Sequence, residues 1–252
     1  MEQWRIDSSG VSRYDTEEHE LFLYQHLRAQ NGKISNLKAH LALLNEASTT
    51  LFGAPVTLTE KEVNKACEQL LYRGNYSSSA IHILELRLQQ SGEFRLRVIE
   101  TSLYKGFALR VMRPKAMVAE GCNYPFSMPT SAALSMVDFL RLTALQNQCH
   151  IALCTDHNAV VTSVDGAAPI VVHGTTITIS NSTSSIYNDL AVSALKTLPN
   201  HTVEIRPVTL TETLSADELF YVDARGITAV GSLGSTYFSD SIAYATAKKM
   251  TI

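Results

Sequence analysis

Apolar positions along the chain alternate between runs of period two and stripes of period three to four. A β-prone run from Leu21 to Ala29 ends at Asn31-Gly32, a dipeptide that favours a tight hairpin turn. Leu37, Leu41, Leu44 and Leu51 then fall on one stripe and predict a helix, with Asn36 placed to cap it and Gly53 to end it. Thr59-Glu60-Lys61-Glu62 is a capping box ahead of Val63, Ala66 and Leu70, so a second helix follows. His82, Leu84, Leu86 and Leu88 alternate with Ile83, Glu85 and Arg87. Past Ser91-Gly92-Glu93, Phe94, Leu96 and Val98 alternate with Arg95 and Arg97, which predicts an antiparallel hairpin. Phe107 to Val118 predicts a further strand that Pro114 confines to an edge or a bulge.

The second half opens with a predicted helix over 130–146, with Leu134, Val137, Leu140 and Leu145 toward a core. Short strands are predicted at 151–154, 160–164, 170–173 and 175–179, with Gly174 turning the last pair. A polar stretch, Ser180 to Ser185, leads to a helix through Asp189 to Lys196. The end predicts a strand at 202–206, a short helix near Ser215 to Glu218, a strand at 219–222 and a helix over 239–249. This order is α+β.

Composition narrows the function classes. The chain has 252 residues, 45% hydrophobic and 18% charged, which is enough apolar material for a large core and excludes disorder. The net charge of -3 argues against nucleic acid, which requires a basic face. No apolar run reaches the ~20 residues that span a bilayer, and no secretory signal is visible, so a cytoplasmic location is expected. Cys67, Cys122, Cys149 and Cys154 lack metal-knuckle spacing and are expected as buried free thiols. Residues 1–118 carry 15 Lys+Arg against 13 Asp+Glu, whereas 119–252 carry 6 against 11. The turn-rich stretch at 121–129 lies at that shift, so a first domain over 1–120, a connection over 121–129 and a second domain over 130–252 are expected.

The order of short motifs resembles one family. Tyr24-Gln25-His26-Leu27-Arg28, then Gly32-Lys33, then Asn36-Leu37-Lys38-Ala39-His40-Leu41 is similar to the opening of the class IV aminotransferases. That group holds the fold-type IV pyridoxal phosphate enzymes, among them branched-chain and D-amino-acid aminotransferases and aminodeoxychorismate lyase. Ser215-Ala216-Asp217-Glu218-Leu219-Phe220 and Gly226-Ile227-Thr228-Ala229-Val230 are similar to the family's closing motifs. The resemblance implies a two-domain α+β fold with a barrel-like second domain, a cleft between the domains, a homodimer and a small-molecule ligand.

Several positions depart from the family's pattern. The lysine that bonds pyridoxal phosphate falls on Thr130, beside Ser131, and no lysine occurs between Ala116 and Leu195. The glutamate that keeps a proton on the ring nitrogen falls on Ser163, and the arginine of the H-x-x-R motif on Leu43. The phosphate turn is Ser185-Ile186-Tyr187-Asn188, the opening glutamate is Gln25, and a later asparagine is Ala168. A phosphate without its arginine loses a charge-assisted bond of roughly 1.5–3 kcal/mol.

These departures lead to an expectation of no pyridoxal phosphate. The chain would bind or transform a small carboxylated molecule in the cleft by acid-base chemistry of the lyase or cyclase kind, or serve as a pseudoenzyme. The alternative is a pyridoxal phosphate-dependent aminotransferase or aminodeoxychorismate lyase with a displaced lysine, Lys115 or Lys38. Candidate catalytic residues are Tyr24 and His26, which flank Gln25 on one strand and share a face, and Asp165. A hydrogen-bonded interface histidine and a turn aspartate are the plain alternatives. Gln25, Thr130, Ser131 and Ser163 are candidate substrate-binding residues, although helix capping accounts equally for Thr130 and Ser131. His40 is expected as a packing residue, and Arg87, Arg95 and Arg97 as a solvated face or an anion patch.

Overall fold

The computed structural model describes residues 4–7, 10–13, 21–102, 106–121, 128–183 and 185–250, which leaves Cys122 and most of the 121–129 connection outside the described residues. Packing divides the chain into two units, Met1–Lys105 with Met128–Ala132, and Gly106–Ser127 with Ala133–Ile252.

The first unit is one six-stranded sheet with helices. Its elements are β1 (Trp4–Asp7), β2 (Gly10–Arg13), β3 (Phe22–Gln30), β4 (Lys33–Ile34), α1 (Leu37–Phe52), α2 (Glu60–Arg73), β5 (Ile81–Gln89) and β6 (Phe94–Ser102). The strand order is β2-β1-β6-β5-β3-β4. Asn31 and Gly32 both take positive φ, 53° and 74°, which turns β3 into β4 as the dipeptide predicts. Leu23, Leu27 and Ala29 of β3 pack with Leu41 and Leu44 of α1, Cys67 and Leu70 of α2, and Leu84, Leu86 and Leu96 of the hairpin. Period-two and period-3.6 stripes thus meet in one core. The capping box of α2 forms as expected, with the Thr59 hydroxyl accepting from Glu62 N–H and the Glu62 carboxylate accepting from Thr59 N–H.

The second unit contains β7 (Lys115–Ala119), α3 (Ser131–Gln146, from Ala133 onward), β8 (Ile151–Thr155), β9 (Val161–Val164), β10 (Ile170–His173), β11 (Thr176–Ile179) and α4 (Ile186–Leu195). It continues with β12 (Thr202–Ile205), α5 (Leu210–Leu214), β13 (Glu218–Asp223), β14 (Gly226–Ala229), β15 (Ser232–Leu233), β16 (Thr236–Tyr237) and α6 (Ser241–Lys249). Two five-stranded sheets form, β12-β11-β10-β13-β14 and β16-β15-β7-β8-β9. Their shared core includes Ile151, Leu153, Val161, Val164, Leu219 and Tyr221. Glu218 is 3% exposed, and its carboxylate accepts from Ile242 and Ala243 N–H at 2.9–3.2 Å, so it satisfies the amino end of α6. The neighbouring Asp217 accepts from Gly174 N–H at 2.7 Å. The closing acidic motif is therefore structural here.

Four local expectations differ from what forms. Only Lys115–Ala119 of the 107–118 run is a strand, because Pro114 has no N–H to give a ladder and the strand begins after it. The short helix is α5, five residues before the expected place; Thr209 and Glu212 form a capping box that fixes its start, while Ser215 only ends it. Leu145 is 61% exposed, and Ala144 takes the buried position. Asn36 precedes α1 with φ 54° and makes no side-chain cap. Cys67, Cys149 and Cys154 are buried free thiols, as expected.

Gly226 opens β14 with φ 129°, and a Cβ there would lie 2.7 Å from the Ala108 carbonyl oxygen. Gly226→Ala should destabilise the protein by about 1–3 kcal/mol from backbone conformation alone, with the contact adding to it. Urea unfolding checks this, and an unchanged midpoint would contradict the packing described.

Candidate functional site

In the first unit, alternation on β3 sends Tyr24 and His26 to one face and Gln25 to the other. The rings of Tyr24 and His26 have centroids 5.0 Å apart, as the shared face requires. His26 pairs in register with Glu85 of β5, and its Nε2 lies 3.5 Å from Glu85 Oε2. Glu85 is 2% exposed and also accepts from Nε of Arg97, at 2.8 Å, and of Arg87. Burial alone would push the Glu85 carboxyl up. The His26 hydrogen bond and the charges of Arg97 and Arg87 outweigh burial and hold it down to about 2. Arg87 and Arg97 are thus not simply a solvated face; they close on a buried carboxylate.

Gln25 faces the helices, where its Oε1 lies 2.8 Å from Nδ1 of His40. His40 is 1% exposed, and burial, aided by the nearby His26, lowers its pKa to about 4. The pair is a core contact. Thr130 bridges Leu23 of β3, Tyr24 N–H donates to the Pro129 carbonyl at 2.9 Å, and Phe22 N–H donates to Ser131 Oγ at 3.3 Å. Tyr24, His26, Thr130 and Ser131 are therefore gathered along the first half of β3.

In the second unit, Asp165 and Gly166 form a two-residue turn with φ 52° and 85° after β9. The Asp165 carboxylate accepts from Arg141 Nε and Nη2, at 2.6 and 3.1 Å, and from Tyr221 OH at 3.1 Å. Burial first, then the Asp165 charge, pushes the Tyr221 hydroxyl up. Asp165 is a structural anchor between β9, α3 and β13, and is committed elsewhere than to base catalysis.

Two residues before it, Ser163 is 2% exposed and its hydroxyl has no hydrogen-bond partner. Hydroxyls gather beside it. Ser182 Oγ and Thr183 Oγ1 donate to the Thr162 carbonyl at 2.5 and 3.2 Å, and Ser180 Oγ donates to the Val161 carbonyl at 3.4 Å. This loop leads into α4, where Ser185 caps by accepting from Tyr187 N–H. Asn188, in the first turn, donates through Nδ2 to the Thr183 carbonyl at 3.0 Å, while its buried Oδ1 has no partner. A helix amino end offers N–H groups and a positive dipole to a phosphate. Ser163 and Asn188 thus each keep one buried polar atom without a partner, whereas the hydroxyls of Ser180, Ser182 and Thr183 are taken up by the Val161 and Thr162 carbonyls. Glu85 is the member that motif spacing missed, since it is one polar residue in an alternating leucine-rich strand and its partners Arg87, Arg97 and His26 show only once the strands pair.

Every described lysine is exposed. Lys115 begins β7, whereas Ala119, Cys154 and Ser163 are in register across β7, β8 and β9, about 13 Å further along the strand. Lys196 caps the far end of α4, about 15 Å from its amino end. In the first unit, Lys38 opens α1 next to the Arg28 end of β3, about 17 Å of strand from Leu23 and Thr130. Among the described residues no group of three or more His, Cys, Asp or Glu could hold a metal, and no helix is long and apolar enough to cross a membrane.

Comparison with known proteins follows the same lines. A family model described as amino-transferase class IV matches residues 23–233. Among solved structures, the chain is similar to an aminotransferase from Brucella abortus bound to pyridoxal phosphate, with 12% identity and a TM-score of 0.79 over 99% of this chain and 98% of that one. It is likewise similar to a T.th. branched-chain amino acid aminotransferase with pyridoxamine 5'-phosphate, with 14% identity and a TM-score of 0.76 over 98% and 92%. A fold IV-transaminase from Curtobacterium pusillum gives 11% identity and a TM-score of 0.79 over 98% and 97%. No curated protein matches the sequence. The α+β class IV fold is as expected. The expectation of no cofactor is overturned, because the matching structures include proteins holding pyridoxal or pyridoxamine phosphate. That expectation rested on departures at the lysine, glutamate, arginine and phosphate-turn positions, whereas the amino end of a helix can hold a phosphate whatever side chains its turn carries.

The two buried titrating groups of the first unit set its acid stability. His40 is neutral when folded, so its contribution is complete above pH 6.5 and is lost as pH falls toward 4, at about 3 kcal/mol in full. Glu85 stabilises above its unfolded value of 4.5 and loses that contribution as pH falls toward 2. His40→Gln should flatten the slope of unfolding free energy between pH 4.5 and 6.5 measured by urea titration, and an unchanged slope would refute the assignment.

Proposed function

Starting from the fact that the chain belongs to the class IV aminotransferase family, whose model matches residues 23–233, we propose that it binds pyridoxal or pyridoxamine phosphate without a covalent lysine bond. The observation that carries this reading is the family match together with similar structures that hold pyridoxal or pyridoxamine phosphate, and the buried, unpartnered Ser163 hydroxyl is a donor that a ligand could satisfy. Buried polar atoms without partners cost about 1–3 kcal/mol each, and a ligand that satisfies them returns that energy as affinity.

The positive end of the α4 dipole would hold the phosphate, and the Ser163 hydroxyl would donate to the ligand. When bound, the group supplies an aldehyde or amine that exchanges nitrogen with a carboxylated partner. In the first unit, Glu85 orients His26 through Nε2, and the imidazole holds or releases a proton beside Tyr24. Activity of the aminotransferase or lyase kind on a small carboxylated amine follows from family membership. A homodimer is part of the same reading, supported by the apolar, exposed Phe139, Leu142 and Leu145 of α3.

The purified protein should bind pyridoxal phosphate, shifting its absorbance, and after borohydride treatment and denaturation should release all of it as free pyridoxine phosphate, the reduced alcohol, with none attached to the chain. A reduced adduct on a lysine would replace this reading with a displaced-lysine enzyme; no absorbance change would remove the cofactor from the account. For the dimer, sedimentation should show two chains for the wild type and one for Phe139→Glu combined with Leu142→Glu, and a wild-type monomer would contradict it.

A further inference from the structure

We propose that Arg87 is a carboxylate fork, whose Nη1 and Nη2 edge takes the two oxygens of a small organic carboxylate on the face of the first-unit sheet turned away from α1 and α2. Leu84, Leu86 and Leu88 of β5 point into the core, so Glu85 and Arg87 lie on the opposite face. Strand pairing sets Tyr24 of β3 and Arg95 of β6 directly across from Arg87. The guanidinium is already fixed on two sides: its Nε donates to Glu85, and its Cζ lies 4.3 Å from the centroid of the Phe22 ring. Its Nη1 and Nη2 donate to no described residue, and the side chain keeps 15% of its surface, so this edge is open to solvent. Charge favours an anion there. Glu85 carries one negative charge and pairs with two arginines, Arg87 and Arg97, so two less one leaves +1 before His26 is counted. A held guanidinium loses little rotamer freedom on binding, and its flat edge matches a carboxylate through two parallel hydrogen bonds. This assignment names a contact for the carboxylated partner of the function proposed above and rests on that reading for the ligand's role as substrate; binding itself requires neither cofactor nor turnover.

The test is calorimetric titration of the full chain, free of pyridoxal phosphate, with benzoate, whose flat ring suits the neighbouring Tyr24 and His26 rings, and with benzamide, which has the same shape without the charge. Benzoate should bind about tenfold more tightly than benzamide, the value of a charge-assisted hydrogen bond, and more weakly as salt rises. Arg87→Lys keeps the charge and loses the fork, and should bind benzoate about tenfold more weakly. Nuclear magnetic resonance of the wild type, which depends on no variant's folding, should show the Tyr24 and His26 ring signals moving as benzoate is added. Equal affinity for the two compounds, unmoved ring signals, or unchanged benzoate affinity in a folded Arg87→Lys protein overturns the inference, whatever the cofactor does. Failure to bind pyridoxal phosphate while benzoate still binds at Arg87 would instead overturn only the function proposed above.

Discussion

A polar group taken out of water must find a partner, and that constraint organises both units of this protein. In the first unit it brings His26, Arg87 and Arg97 around Glu85, and pairs Gln25 with His40 beneath the sheet. In the second it binds Asp165 to Arg141 and Tyr221, and places the Glu218 carboxylate against the first N–H groups of α6. Each arrangement converts a costly buried polar or charged group into a junction between elements. Leucine-rich packing supplies most of the driving force, but these junctions decide which strand faces which helix.

Against that background, atoms left unpaired in the interior point to function. Ser163 Oγ in β9 and Asn188 Oδ1 in the first turn of α4 are two such atoms, and hydroxyls of the segment ahead of α4 bond the β9 carbonyls between them. The exposure of every described lysine is in keeping with the noncovalent holding proposed above.

Much of the fold was legible in the sequence because its signals were local. The capping box at Thr59, the Asn31-Gly32 turn and the alternation through Leu84, Leu86 and Leu88 each specify geometry within a few residues. Short strands such as β15 and β16 carry no such signal, since two residues cannot display a period. The candidate site was legible only in part. Tyr24 and His26 share a face because a strand alternates, and Ser163 stood out by its position in a resembling motif. The roles of Gln25 and Asp165 depended on partners distant in the chain, His40 and Arg141, and no spacing rule reveals those. The expected loss of a cofactor rested on four motif positions, the lysine, glutamate, arginine and phosphate turn, and side-chain identity at those positions does not reveal what the backbone at a helix amino end can hold.

The most direct test of noncovalent cofactor binding is a crystal structure of the protein with pyridoxamine phosphate. The account predicts phosphate density against the amino end of α4, the ring within hydrogen-bond distance of Ser163, and no density joining the ligand to a lysine. A ligand bonded to a lysine, or bound away from Ser163 and Asn188, would contradict it.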